Sequence, residues 1–190
     1  MFRIIRAAMT AVALGLVFLS VPASALTLPA DVDPQNVIVL TLKDGPVVIK
    51  LRPDLAPKTV AQIKALTKRG FYDGLVFHRV IAGFMAQTGD PTGTGMSGSD
   101  LPNVPAEFSS THFARGTLGM ARASDPNSGN SQFFIMFADG AFLDGQYTVF
   151  GEVISGMDAV DKIKKGSRDD NGTVDHPDKI IKMQMASDVK

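Results

Sequence analysis

The sequence predicts a mainly β protein, a closed eight-stranded antiparallel β-barrel with two capping α-helices. Short apolar runs are separated throughout by glycine, proline and polar turn residues. Only two segments carry the 3.6-residue periodicity of a helix, and they do not alternate with the strands as βαβ crossovers would. Antiparallel pairing remains, and closure into a barrel would remove exposed edges. At 190 residues, 45% hydrophobic and 20% charged, the chain is long and apolar enough to bury a single core.

The N-terminus reads differently from the rest. Arg3 and Arg6 precede the apolar stretch Ala7–Val21, and Ala23-Ser24-Ala25 supplies the small residues that a signal peptidase accepts. Residues 1–25 are therefore expected to be a cleaved signal peptide, leaving residues 26–190 as one domain in the periplasm or secreted. The apolar stretch is interrupted by Thr10, Gly15 and Ser20 and is shorter than the roughly 20 residues a membrane span requires. The two arginines are not adjacent, which argues against a twin-arginine signal.

Charge and composition exclude several classes. With 19 basic and 19 acidic residues, the molecule has no net attraction for nucleic acid, nor for a membrane once the signal is removed. The absence of cysteine excludes disulfides, thiolate nucleophiles and lipid attachment at cysteine. His78, His112 and His176 lack the close spacing of a metal-binding motif, so no metal or cofactor is expected.

The elements follow in order. Val37–Leu42 and Val47–Leu51 form a hairpin through Lys43-Asp44-Gly45-Pro46, with the glycine accepting a positive φ. Val60, Ile63 and Leu66 make a narrow helical stripe that ends at Gly70. Further strands are expected at Leu75–Ile81, Phe84–Gln87, Gly116–Arg122, Gln132–Phe137 and Thr148–Ile154. In the first of these, Phe77, Arg79 and Ile81 share one face, with His78 and Val80 on the other. Ser155 caps a second helix carrying Met157, Val160 and Ile163, with Asp158 three residues on. The last strand, Lys179–Met185, places Ile181, Met183 and Met185 on one face. Gly89–Pro105 and Lys165–Pro177 read as surface loops.

Several short motifs dissolve in context. Gly93-Thr94-Gly95-Met96-Ser97-Gly98 satisfies GxGxxG, but Pro91 before it and Pro102 and Pro105 after it replace the strand and helix of a dinucleotide site. The same stretch misses the GxSxG nucleophile elbow, because Ser99 stands at its fifth position. An EF-hand register from Asp169 puts Val174 where glycine is needed and Ile180 where glutamate belongs. Asn171-Gly172-Thr173 is formally an N-glycosylation acceptor and otherwise a solvated turn.

Three long blocks remain: Phe77 through Gly95, Gly119 through Ile135, and Phe142 through Gly151. In this order they strongly resemble the cyclophilin family of peptidyl-prolyl cis-trans isomerases, and the likeness runs from about Val37 to Met185. The resemblance implies a groove on the outside of an eight-stranded barrel, with Arg79 aligned to the catalytic arginine. Phe84, Met85, Phe134 and Leu143 align with the apolar cup for the proline ring, and His78, Gln87 and Gln132 with polar groups lining it. Ala121, Arg122 and Ala123 fall where the family's main chain meets the residues before proline. Arg122 stands where many members have asparagine, Phe142 where many have tryptophan, and Tyr147 where many have histidine. Without the indole N–H, binding of cyclosporin-type cyclic peptides is expected to suffer while catalysis need not.

These residue types suit the reaction. Rotation about an Xaa-Pro bond must break amide resonance against a barrier of about 18–20 kcal/mol. As the bond twists, the proline nitrogen gains a lone pair, and a guanidinium aimed at it binds the twisted form better than the planar one. Lowering the barrier by about 4–7 kcal/mol gives an enzyme-like rate without a covalent intermediate. Gln87 either holds the moving carbonyl or orients Arg79. The expected partners are proline-containing unfolded or loop segments of exported proteins, met by a monomer. A pure peptide-binding module would use the same groove without needing Arg79. A hydrolase or sugar-binding barrel would need acidic or nucleophilic groups in the groove, where the blocks offer only Asp90 and Asp144, both read as loop formers.

Overall fold

A computed structural model describes residues 32–189. The signal peptide expected at residues 1–25 lies outside the described residues. Eight strands form one antiparallel sheet: β1 (Val37–Leu42), β2 (Gly45–Leu51), β3 (Arg79–Ile81), β4 (Met85–Thr88), β5 (Thr117–Met120), β6 (Phe133–Met136), β7 (Val149–Ser155) and β8 (Lys182–Met185). Their spatial order is β3-β4-β6-β5-β7-β2-β1-β8.

The sheet curls but its ladder does not close, contrary to the expectation of a closed barrel. β3 and β8 are its two ends. Irregular chain spans the seam between them, with Gly74 N–H donating to Ile180 O, Phe77 N–H to Asp178 O and Ile180 N–H to Leu75 O. These segments bend where two regular strands would have paired, so β3 starts only at Arg79 and β8 only at Lys182. The bends also shift side-chain phase. Phe77 is fully buried in the main core together with Val80, and not on the face of Arg79. Ile181 is 56% exposed, while Ile180, Met183 and Met185 are buried.

The hairpin between β1 and β2 forms as expected, with Leu42 opposite Gly45 across Lys43-Asp44. Glycine is needed one residue later than a type I′ turn would require it: neither Lys43 nor Asp44 has positive φ, whereas Gly45 has φ 136°.

Helix α1 (Pro57–Lys68) lays Val60, Ile63 and Leu66 on the core and is followed by Gly70 at φ 69°, a left-handed C-terminal stop. Its first turn has no cap of its own. The Glu107 carboxylate, distant in sequence, accepts from Lys58 N–H at 2.9 Å and Thr59 N–H at 2.8 Å. Helix α2 is only Met157–Asp161, and Ile163 is buried beyond its end. Ser155 does not cap it. Ser155 ends β7, and Gly156 occupies the cap position at φ 90° with no side-chain bond.

Period-two alternation in the central strands divides the apolar residues between two clusters. Phe133 and Ile135 of β6 enter the main core, together with Val80 and Ala86. Phe134 and Met136 point the other way, into a second cluster with Met85, Phe113, Leu143 and Val149. That outer cluster underlies the site.

Candidate active site

Strand register sets out the site as a row across four strands. Arg79 lies opposite Gln87, Gln87 opposite Phe134, and Phe134 opposite Gly119. Short side-chain spacing across an antiparallel ladder lets such neighbours touch. Gly119 makes room for the aromatic: a Cβ there would overlap the Phe134 ring.

The row runs into a cavity of about 440 Å³ lined by Arg79, Phe84, Met85, Gln87, Ala121, Arg122, Phe134, Phe142, Leu143, Gln146 and Tyr147. Its walls are aromatic. Phe134 meets Tyr147 edge-on at 5.8 Å between centroids, and Phe84 meets Phe142 at 5.4 Å across the rim. Met85, Phe134 and Leu143 are buried, while Phe142 is 65% exposed. A 3-10 turn at Ala141–Leu143 turns Leu143 inward and leaves Phe142 outside.

Arg79 is held from two sides. Its Nη1 donates to Gln87 Oε1 at 3.2 Å, while Nε donates to Asn171 O at 3.0 Å and Nη2 to Asn171 Oδ1 at 2.9 Å. Burial pushes its pKa down from the usual arginine range, yet an arginine remains charged at neutral pH. Gln87 Nε2 in turn donates to Gln132 Oε1 at 2.9 Å, and Gln132 Nε2 donates to Gly95 O and Ser97 O at 3.0 and 2.7 Å. A chain of amides thus links the guanidinium to the glycine-rich loop.

That loop is more than a surface connection. With Ala121, Arg122, Ala123, Ser128, Asn130 and Gln132 it encloses a second cavity of about 730 Å³, which shares Gln87, Ala121 and Arg122 with the first. Asp90, fully buried, organises the loop by accepting from Thr92 N–H at 2.7 Å and Thr92 Oγ1 at 2.8 Å. Arg122 forms the ridge between the cavities. Its guanidinium carbon stands 4.6 Å from the Tyr147 ring centroid, and its Nη1 donates to Ala123 O at 2.9 Å.

The expected site residues therefore divide. Arg79, Phe84, Met85, Gln87, Phe134, Phe142, Leu143 and Tyr147 converge on the smaller cavity, whereas Ala123 and Gln132 line only the larger. His78 lines neither. It is 8% exposed, its ring nitrogens make no hydrogen bond, and a Cβ on Gly95 would lie 3.2 Å from its ring. Burial holds His78 below the usual histidine range, with Asp90 pulling the other way. Gln146 and Asn171 are additions. Gln146 falls inside the third sequence block and was accessible there, but Asn171 lies in a loop with no apolar pattern to mark it.

The acidic groups on which a hydrolase reading depended are engaged elsewhere. Asp90 is folded into the glycine-rich loop, and Asp144 accepts from Phe113 N–H at 2.8 Å while its other oxygen lies 2.8 Å from His112 Nδ1. Among the described residues, no group of three or more His, Asp or Glu side chains is placed to hold a metal ion, and no helix is long and apolar enough to cross a membrane.

The curled antiparallel sheet thus carries an apolar pocket beside the half-buried Arg79 of its edge strand. The sequence profile of cyclophilin-type peptidyl-prolyl cis-trans isomerases matches residues 37–185, and the chain belongs to that family. It is 55% identical over an alignment of 197 residues to a probable peptidyl-prolyl cis-trans isomerase of Brucella suis, covering 98% of each chain. Cyclophilin AquaCyp293 from Hirschia baltica superposes with a TM-score of 0.75 at 30% identity, over 84% of this chain and 77% of that one. A Cryptosporidium parvum cyclophilin-type isomerase, crystallised in the presence of the dipeptide Ala-Pro, gives a TM-score of 0.72 at 29% identity, over 78% and 98% of the two chains. The protein is a peptidyl-prolyl cis-trans isomerase.

Proposed function

We propose that Arg79 is the catalytic group and that the smaller cavity receives the proline ring. The observation that carries this reading is the position of a charged, hydrogen-bonded guanidinium at the wall of a cavity otherwise dominated by Phe84, Met85, Phe134, Phe142, Leu143 and Tyr147. The apolar side chains grip the ring while the preceding carbonyl swings. A low local dielectric strengthens the contact between guanidinium and the pyramidal nitrogen, which exists only in the twisted amide. Gln87 accepts from Arg79 and so acts first as its orienting partner. Ala121, Arg122 and Ala123 supply main chain and one cation along the adjoining cavity, where the substrate chain continues.

Arg79→Ala is expected to leave the fold intact and lower kcat/KM by roughly two to three orders of magnitude, the loss typical of one preorganised donor. Near wild-type turnover in an NMR exchange assay would reject the assignment.

The arginine-led apolar segment and Ala23-Ser24-Ala25 support export with cleavage after Ala25, and hence action on proline-containing segments of other exported proteins. Mass spectrometry of the protein recovered from the periplasm or medium should find Leu26 as its first residue. An N-terminus retaining Arg3 would refute export by this route.

A further inference from the structure

We propose that Asn171 is a positioning residue for Arg79, a role that rests on Arg79 being the catalytic group. Asn171 is an exposed residue of the loop between α2 and β8. It is one of two non-glycine residues with positive φ among those described, at 48°, a region asparagine tolerates better than most side chains. In that conformation its carbonyl oxygen and its side-chain Oδ1 both face one edge of the guanidinium, accepting from Nε and Nη2. Gln87 takes Nη1.

A guanidinium has five N–H groups, and these three bonds use one on each nitrogen. One donor on Nη1 and one on Nη2 remain for a substrate. The long arginine side chain otherwise has much rotamer freedom to lose, and a donor must be in place before the amide twists if it is to favour the twisted state. Fixing both edges of the guanidinium meets that requirement.

The loop is itself docked along the free edge of β3. Val80 N–H donates to Gly172 O at 2.8 Å, Gly166 N–H to Val80 O at 2.9 Å and Val174 N–H to His78 O at 3.1 Å. The approach is close enough that a Cβ on Gly166 would overlap the Gly172 carbonyl. Asn171 is thereby carried on the same edge as the residue it holds.

The test uses two substitutions that keep the backbone conformation. Asn171→Gly retains the positive φ and the carbonyl but removes Oδ1, and Asn171→Asp restores a side-chain oxygen acceptor. With a proline tetrapeptide, Asn171→Gly should lower kcat roughly three- to tenfold with KM little changed, and Asn171→Asp should recover most of the loss. In an Arg79→Ala background, adding Asn171→Gly should change the residual rate by less than about twofold, because the two act as one unit. Unchanged kcat in Asn171→Gly overturns the proposal, as does a loss that aspartate fails to rescue or that persists in full without Arg79. Wild-type turnover in Arg79→Ala alone would instead defeat the assignment of Arg79, so the two failures are distinguishable.

Discussion

Gly119 faces Phe134 across the β5–β6 ladder, and the aromatic ring occupies the space that a side chain at Gly119 would fill. The same side chain would crowd Phe113, which stacks on Phe134 at 5.9 Å between centroids, so the pair has little room to retreat. Gly119→Ala is therefore expected to destabilise the fold by about 1–3 kcal/mol through overpacking and to raise KM for proline peptides. Thermal unfolding and steady-state kinetics check both effects; unchanged values would mean that the pocket floor relaxes without cost.

Activity and stability should respond differently to pH. Arg79 does not titrate near neutrality, and His78, which burial moves below the usual histidine range, lines neither cavity, so kcat/KM should be nearly flat between about pH 6 and 8. A steep slope would implicate His78. Stability has a different dependence, because Asp144 raises the pKa of His112 above its usual 6.5 through their hydrogen bond. That stabilisation is fully present below the unfolded value and fades as pH rises through the folded one. The Tm advantage of wild type over His112→Ala should shrink across this window, and a constant difference would remove the ion pair as its source.

Glu107 offers a structural control. Its two oxygens satisfy the first-turn N–H groups of Lys58 and Thr59, and Glu107 lines neither cavity. Glu107→Ala should cost about 1 kcal/mol, the usual worth of an N-terminal cap, and lower Tm while leaving kcat/KM unaltered. Loss of turnover at a temperature where the variant remains folded would contradict this separation.

Phe142 stands at the rim with 65% of its surface exposed, so a larger ring fits there without entering the core. Phe142→Trp adds an indole N–H donor and should tighten binding of a cyclosporin-type cyclic peptide by roughly tenfold, about the worth of one hydrogen bond, with kcat little changed. Equal affinity of the two forms by calorimetry would show that the missing donor is not what limits binding.

Much of the cavity lining was legible because three ordered blocks of the sequence resemble the cyclophilin family. In the structure the two-residue period puts Phe134 and Ile135 on opposite faces, the first in the outer cluster beside the cavity and the second in the main core. The same rule failed at Phe77 and Ile181, where the seam between the sheet ends bends the chain and resets the phase. Ser155 likewise looked like a helix cap, but β7 continued through it and Gly156 made the turn instead. Local propensity yields there to the strand pairing that extends the sheet.

The sequence by itself determined the strand-rich class, because periodicity is a local property, and its resemblance to the cyclophilins marked Arg79 and most of the apolar residues that line the smaller cavity. Tertiary structure decided the open seam, the withdrawal of His78 beneath Gly95, and the meeting of Arg79 with Asn171. Those depend on which distant segments fold against one another, and a loop that docks through backbone hydrogen bonds leaves no apolar pattern by which its place could be read.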